Sequence, residues 1–181
     1  MKRILVLCLA LGLGAAQADA PTRRELIDGL FLRLRQAEDP ATAAHLRAMI
    51  GAVWNHSGSP TADLLMARAE AALRAENGEV AARLLDRVVS LYPDWGQAWR
   101  RRAQSAVEAG DRDGAVLDLA KALSIEPRDF LAMRQLSELL RDSKKPEALD
   151  LLRRAAELDP QDQTLAREIE DLTGEVEGKG I

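Results

Sequence analysis

Arg100, Arg101 and Arg102 stand in a row beside Trp95 and Trp99 in "WGQAWRRRAQSAVEAGD". Cations next to aromatics are what a nucleic-acid surface requires, the one for phosphates and the other for stacked bases. On an α-helix, however, successive side chains turn by about 100°, so three adjacent arginines fan over about 200° and make no single patch. Arg102 falls beside the apolar stripe and is expected to lay its stem over it, Arg100 points to an inner helix face, and Arg101 lies between. Both tryptophans sit where a helical core needs bulk. The histidines, His45 and His56, have no carboxylate in metal-ligand register. Ser57 and Ser59 flank Gly58, but Ser59 followed by Pro60 reads as a helix cap with proline in the first turn, not as a nucleophile. Gly78, Gly110 and Gly114 read as turns between helices, and no glycine-rich phosphate loop is present. No catalytic residue, metal site or cofactor site emerges, and the chain reads as a non-enzyme.

The first 20 residues, "MKRILVLCLALGLGAAQADA", follow a different logic. Lys2 and Arg3 precede an apolar run from Ile4 to Leu13, too short to span a bilayer, and Ala16-Gln17-Ala18 is a small-x-small cleavage sequence. Residues 1–18 are expected to be a signal peptide cut after Ala18, giving a chain that is exported, to the periplasm, with no stable membrane insertion. Cys8, the sole cysteine, lies inside this leader, so the mature chain has no thiol and no disulfide. Without Lys2 and Arg3 the 25 basic residues become 23, against 29 acidic ones, a net charge of −6. A phosphate-binding protein carries the opposite sign, and nucleic acid is excluded as the expected partner.

The elements that position these residues are organised by a repeat. Pro93, Pro127 and Pro160 recur at spacings of 34 and 33 residues, in "VVSLYPDW", "ALSIEPRDF" and "AAELDPQDQ". A fixed period of this size marks stacked supersecondary units. In residues 96–129, Trp99, Ala103, Ala106 and Val107 share a helical face, Gly110 stops that helix, and Ala115, Val116, Leu119, Ala122 and Leu123 form a second stripe. Pro127 pushes Glu126 out of the helix, and Asp94 and Asp129 are placed to cap the helices that follow.

On these residues the chain resembles the tetratricopeptide repeat family. Trp99, Ala103, Ala115, Leu119, Ala122 and Pro127 stand at the family's bulky, small, small, large, small and proline positions. The unit at 61–95 supplies Leu65, Ala69, Ala81, Leu85 and Pro93, with Val88 in place of a small residue. The unit at 130–162 supplies Met133, Ser137, Ala148, Leu152, Ala155 and Pro160, with its internal turn one residue short. The resemblance implies an all-α, right-handed superhelical solenoid of antiparallel helix pairs, with small side chains where the two helices of a unit cross. Residues 19–60 read as an N-terminal helix pair, lined by Leu26, Ile27, Leu30, Phe31 and Leu34 and by Leu46, Met49, Ile50, Val53 and Trp54, split at Asp39-Pro40. This pair either continues the superhelix or covers its groove. It and the phrase Trp54, Ser57, Gly58, Ser59 resemble periplasmic tetratricopeptide-repeat proteins of alphaproteobacteria. Residues 163–174 read as a capping helix with a Leu165, Ile169, Leu172 stripe, and 175–181 as a flexible tail.

The resemblance further implies a concave face, lined by the first helix of each pair, that binds a peptide or partner segment. By position, Met66 and Glu70 in the first unit, Arg100 and Gln104 in the second, and Arg134, Glu138 and Arg141 in the third should face inward. Arg100 and Arg134, at equivalent places, are candidate anchors for acidic groups. The carboxylate-clamp branch of the family uses Lys followed four residues on by Asn; here the pairs read Arg100 with Gln104 and Met66 with Glu70, so EEVD-type recognition is not implied. The expected role is a protein-interaction scaffold, with a self-associating subunit of an envelope-assembly complex as the alternative.

Overall fold

Helices begin in this chain where a side chain can take up the first free amides. Thr22 and Glu25 form a reciprocal capping box that opens α1 (Arg23–Arg35). Asp39 caps α2 (Pro40–Asn55) and Ser59 caps α3 (Pro60–Arg74), each followed by proline at a position that needs no N–H. Asn77 opens α4 (Gly78–Leu91), Asp111 opens α6 (Arg112–Ile125), Asp129 opens α7 (Phe130–Leu140) and Asp162 opens α9 (Gln163–Val176). Only α5 (Gly96–Glu108) and α8 (Lys145–Leu158) start without a side-chain cap. The computed structural model describes residues 21–178, and among them there are nine helices and no strand. The signal-peptide reading of 1–18 lies outside the described residues. No described helix is long and apolar enough to cross a membrane.

Helices α3/α4, α5/α6 and α7/α8 form successive pairs, and each pair packs on the next through its second helix, ending with α8 on α9. This is an all-α solenoid of antiparallel helix pairs. The crossings within pairs are made by small buried residues: Ala69 and Ala81, Ala103 and Ala115, Ser137 and Ala148. In the last of these the Ser137 hydroxyl donates to the Ala148 carbonyl at 2.9 Å, which satisfies the one polar atom placed at a crossing. Trp99 packs against both core clusters and so fills the space between the first and second pairs.

Four details differ from the expectations. Asp94 does not cap α5: Trp95 occupies the cap position, drawn inward because its indole N–H donates to the Trp54 carbonyl at 2.9 Å. Gly114 is not in a turn but in the first turn of α6, where its N–H donates to the capping Asp111 and a Cβ would meet the Asp111 carboxylate at 2.2 Å. The last helix runs through Val176, beyond the expected boundary at 174, because Glu175 is held by Arg141 and Lys145. Leu26 is exposed, unlike the rest of the α1 stripe.

The N-terminal pair neither extends the stack nor covers the concave face. It lies along the edge where the second helix of each unit hands over to the first helix of the next. Trp54, at the end of α2, reaches the first handover through Trp95. Phe31, Trp54 and Phe130 form an aromatic cluster at the second, with ring centroids 5.5, 5.9 and 6.2 Å apart. There Arg128 also reaches Asp28 of α1 at 2.6 Å. At the third, Arg47 of α2 meets Asp159 at 2.6 Å and the Gln161 amide donates to the Ala37 carbonyl at 3.1 Å. Asp159 is fully buried, and burial pushes its carboxyl above the usual range while Arg47 pulls it back.

Two consequences are measurable. Helices α3 and α5 end in the same pattern: Glu76 N–H bonds Leu73 O and Asn77 N–H bonds Ala72 O, as Gly110 N–H bonds Val107 O and Asp111 N–H bonds Ala106 O. Gly110 sits at φ 83°, but its counterpart Glu76 adopts φ 56°, a left-handed conformation that costs a residue with a Cβ about 1 kcal/mol. Glu76→Gly should therefore raise stability by about that amount in urea unfolding. Arg47→Ala leaves the Asp159 carboxylate buried without its partner, and should destabilise by about 3 kcal/mol at neutral pH. Because Asp159 then binds a proton more tightly folded than unfolded, the deficit relative to the parent should shrink as pH falls through the raised folded pKa. Paired unfolding curves at pH 7 and pH 5 check the sign.

Candidate partner-binding groove

The first helices α5 and α7, with α9 in the place the next first helix would occupy, wall an open cavity of about 600 Å³. Its floor is apolar, with Ala103, Leu139 and Leu172 buried beneath Val107 and Leu131, which are 42% and 37% exposed. The residue spacing places Val107 on the buried stripe; in the structure it is at the groove surface. No residue of α1 or α2 lines this cavity.

Of the residues expected on the concave face, Arg100, Gln104, Arg134, Glu138 and Arg141 do line the cavity. Met66 and Glu70 do not. Met66 is 6% exposed and packs in the core cluster of the first pair, and Glu70 pairs with Arg101 at 3.2 Å.

The arginines are already engaged. Arg100, only 9% exposed, places its Nε 3.2 Å from Asp129 Oδ2 and donates through Nη2 to Gln97 Oε1 at 2.6 Å. Asp129 in turn accepts the backbone amides of Leu131 and Ala132 at 3.1 and 3.0 Å as it caps α7. Burial raises the Asp129 carboxyl above its usual range, and Arg100 and the two amides oppose that rise. Gln97 passes the network on to Asn55 at the end of α2, at 2.7 Å. Arg134 donates through Nε to both carboxylate oxygens of Glu168 at 3.0 Å, and Arg141 pairs with Glu175. Both partners lie on α9, 34 residues further along the chain.

The rest of the arginine run is similarly absorbed. Arg102 forks onto Asp118 at 2.6 and 2.7 Å, reaches Asp86 at 3.1 Å, and lies 4.8 Å over the Trp99 ring. Each arginine of the run thus meets a carboxylate of this chain.

Sequence reasoning missed Glu108, Gln135 and Glu168 on the cavity wall. Glu168 was findable by carrying the repeat period from Arg134 into the last helix. Gln135 Oε1 is buried without a donor, which a sequence pattern does not reveal.

The other chemistry-bearing cluster is structural. Asp63 on α3 accepts the Ser57 amide and hydroxyl at 2.9 and 2.6 Å and faces His56 Nδ1 at 2.7 Å. Partial burial raises the Asp63 carboxyl, but the Ser57 hydrogen bonds and His56 outweigh it and hold the group below its usual range. Serine and histidine both bind the acid and not each other, so no nucleophile–base relay is formed. The cluster fixes the "WNHSGS" turn before α3. Among the described residues no group of three potential ligands is placed to hold a metal ion.

No family model matches the chain. A TPR repeat-containing protein of Rhizobium etli is 30% identical over 156 residues, spanning 86% of this chain and 76% of the relative. The chain belongs to the tetratricopeptide repeat family. Among solved structures, the first repeat domain of Spaghetti (RPAP3) bound to the HSP90 peptide SRMEEVD matches with a TM-score of 0.60 at 16% identity. That match covers 64% of this chain and 92% of the other. The Yersinia enterocolitica type III secretion chaperone SycD, in complex with a peptide of the translocator YopD, matches with a TM-score of 0.59 at 17% identity, over 67% and 95% of the two chains. At these identities the likeness to the solved structures is one of fold.

Proposed function

We propose that this tetratricopeptide-repeat chain is an exported, non-catalytic interaction module that holds a segment of a partner protein in the α5–α7–α9 groove. The observation that carries the reading is an open, apolar-floored cavity that the N-terminal pair leaves uncovered. The groove residues we assign to the partner are Gln104, Glu138 and the aliphatic stems of Arg134 and Arg141, with Arg100 holding the wall in shape. Met66 and Glu70 drop out of this assignment because they do not reach the cavity. Two structural neighbours are seen with peptides, SRMEEVD in one case and a YopD segment in the other, which supports a peptide or protein ligand here.

A second reading has its own observation. The N-terminal pair does not pack on α3 as a preceding repeat would, and Leu64 of α3 stays 53% exposed at that open end. Self-association through this end is the alternative, in which the chain serves as a subunit of an envelope-assembly complex.

A photocrosslinking residue at Gln104 in the groove, compared with one at Leu117 on α6, tests both. Leu117 is 72% exposed and lies outside the cavity. The expected outcome is a discrete heterologous adduct from position 104 and none from 117. No adduct from 104 removes the groove reading, and an adduct at twice the chain mass from a third crosslinker at Leu64 on α3 favours self-association through the open end. For export, N-terminal sequencing of the protein from the cell envelope should begin at Asp19; an intact Met1 start would overturn the leader assignment.

A further inference from the structure

The groove's charge balance shows what kind of segment it accepts. This step rests on the groove reading above and narrows it. Every arginine on the cavity wall faces a carboxylate of this chain: Arg100 faces Asp129, Arg134 faces Glu168 and Arg141 faces Glu175. An acidic ligand would have to displace one of these intramolecular carboxylates, exchanging one ion pair for another with little net gain.

What the wall leaves unmatched has the opposite sign. Glu108, at the end of α5, and Glu138, on α7, line the cavity and form no ion pair or hydrogen bond among the described residues. The nearby Arg141 senses the Glu138 charge but gives its guanidinium to Glu175. Between these polar groups lie the exposed faces of Val107 and Leu131. Two free carboxylates around an apolar strip call for cations around an apolar side chain.

We infer that the partner segment is amphipathic and basic, with an aliphatic or aromatic side chain over Val107 and Leu131 and a lysine or arginine at each of Glu108 and Glu138. The arginines of the wall are scaffold. They hold α5, α7 and α9 at the spacing the segment fits, and do not bind it by charge.

The test is selection from a random 12-residue peptide display library on the exported chain, followed by titration of the enriched peptides as synthetic fluorescent probes. The expected result is enrichment of apolar peptides carrying lysine or arginine. Their affinity should fall about 10- to 100-fold on the double change Glu108→Lys with Glu138→Lys, and less on the charge-neutral Glu108→Gln with Glu138→Gln. It should also weaken with added salt. Both sites are on the helix surface, and thermal unfolding of each variant confirms that the fold is kept. Enrichment of acidic peptides whose binding is lost on Arg134→Glu would overturn the charge assignment and leave the groove reading standing. Peptides indifferent to all of these changes, or no enrichment over the double-lysine variant, would remove the groove reading together with the inference.

Discussion

A stack of helix pairs in which each touches only its neighbours has a soft axis, because small rotations at each handover add along its length. The interaction on which this structure depends is the docking of the N-terminal pair across those handovers. Arg128 and Asp28 are 100 residues apart in sequence, Arg47 and Asp159 112, and Gln161 and Ala37 124. These contacts tie the first two helices to residues of the second and third repeats. The docking combines an aromatic cluster, which supplies buried area, with two ion pairs and an indole hydrogen bond, which set the register.

The groove inherits its geometry from that edge. Asn55 at the end of α2 binds Gln97, Gln97 binds Arg100, and Arg100 meets the Asp129 that caps α7. One chain of polar contacts thus runs from the N-terminal pair to the two helices that wall the groove. On the far side, Arg134 with Glu168 and Arg141 with Glu175 act as rungs between α7 and α9, both at the repeat period. Partly exposed rungs of this kind contribute little stability, within about 1 kcal/mol each, but they fix which faces of the helices look at each other.

The sequence makes visible what is periodic and hides what is not. Pro93, Pro127 and Pro160, with the Ala103 and Ala115 crossing, define the pairs because each contact recurs at a fixed offset. The edge docking leaves no such trace. Phe31 reads as part of the first helix's stripe and Phe130 only as the residue that opens the third unit, and nothing local says that they meet. The same holds for Asp94 and Trp95: by residue type the aspartate is the better cap, but a distant carbonyl, that of Trp54, decides for the tryptophan. Of the groove, the side-chain directions in the second and third units were legible, while the partners of those side chains were not. A helical wheel says where Arg134 points and is silent on Glu168 being there to receive it. Met66 shows the limit from the other side. The concave face at the first unit is filled by its own core, so an inward position there is a buried one.

That Arg134 and Arg141 are internally paired follows from the C-terminal helix, whereas Arg100 takes the Asp129 that caps α7. A stack ending on α8 would leave the outer face of α7 with Arg134 and Arg141 in solvent and the Leu139 and Leu152 stripe bare. Closing it with α9 buries Leu165 and Leu172 against that stripe and brings Glu168 and Glu175 into reach. Capping and charge neutralisation are therefore one event. The groove at this end is as wide as the α7–α9 separation permits, and its cationic character is cancelled by the helix that completes it. In the proposed groove, selectivity would rest with the groups that α9 does not reach, Glu108 and Glu138, and with Val107 and Leu131 beside them. A wall held in place by internal pairs is already ordered before a ligand arrives. Binding then carries a smaller entropic cost than it would in a groove that had to be assembled around its partner.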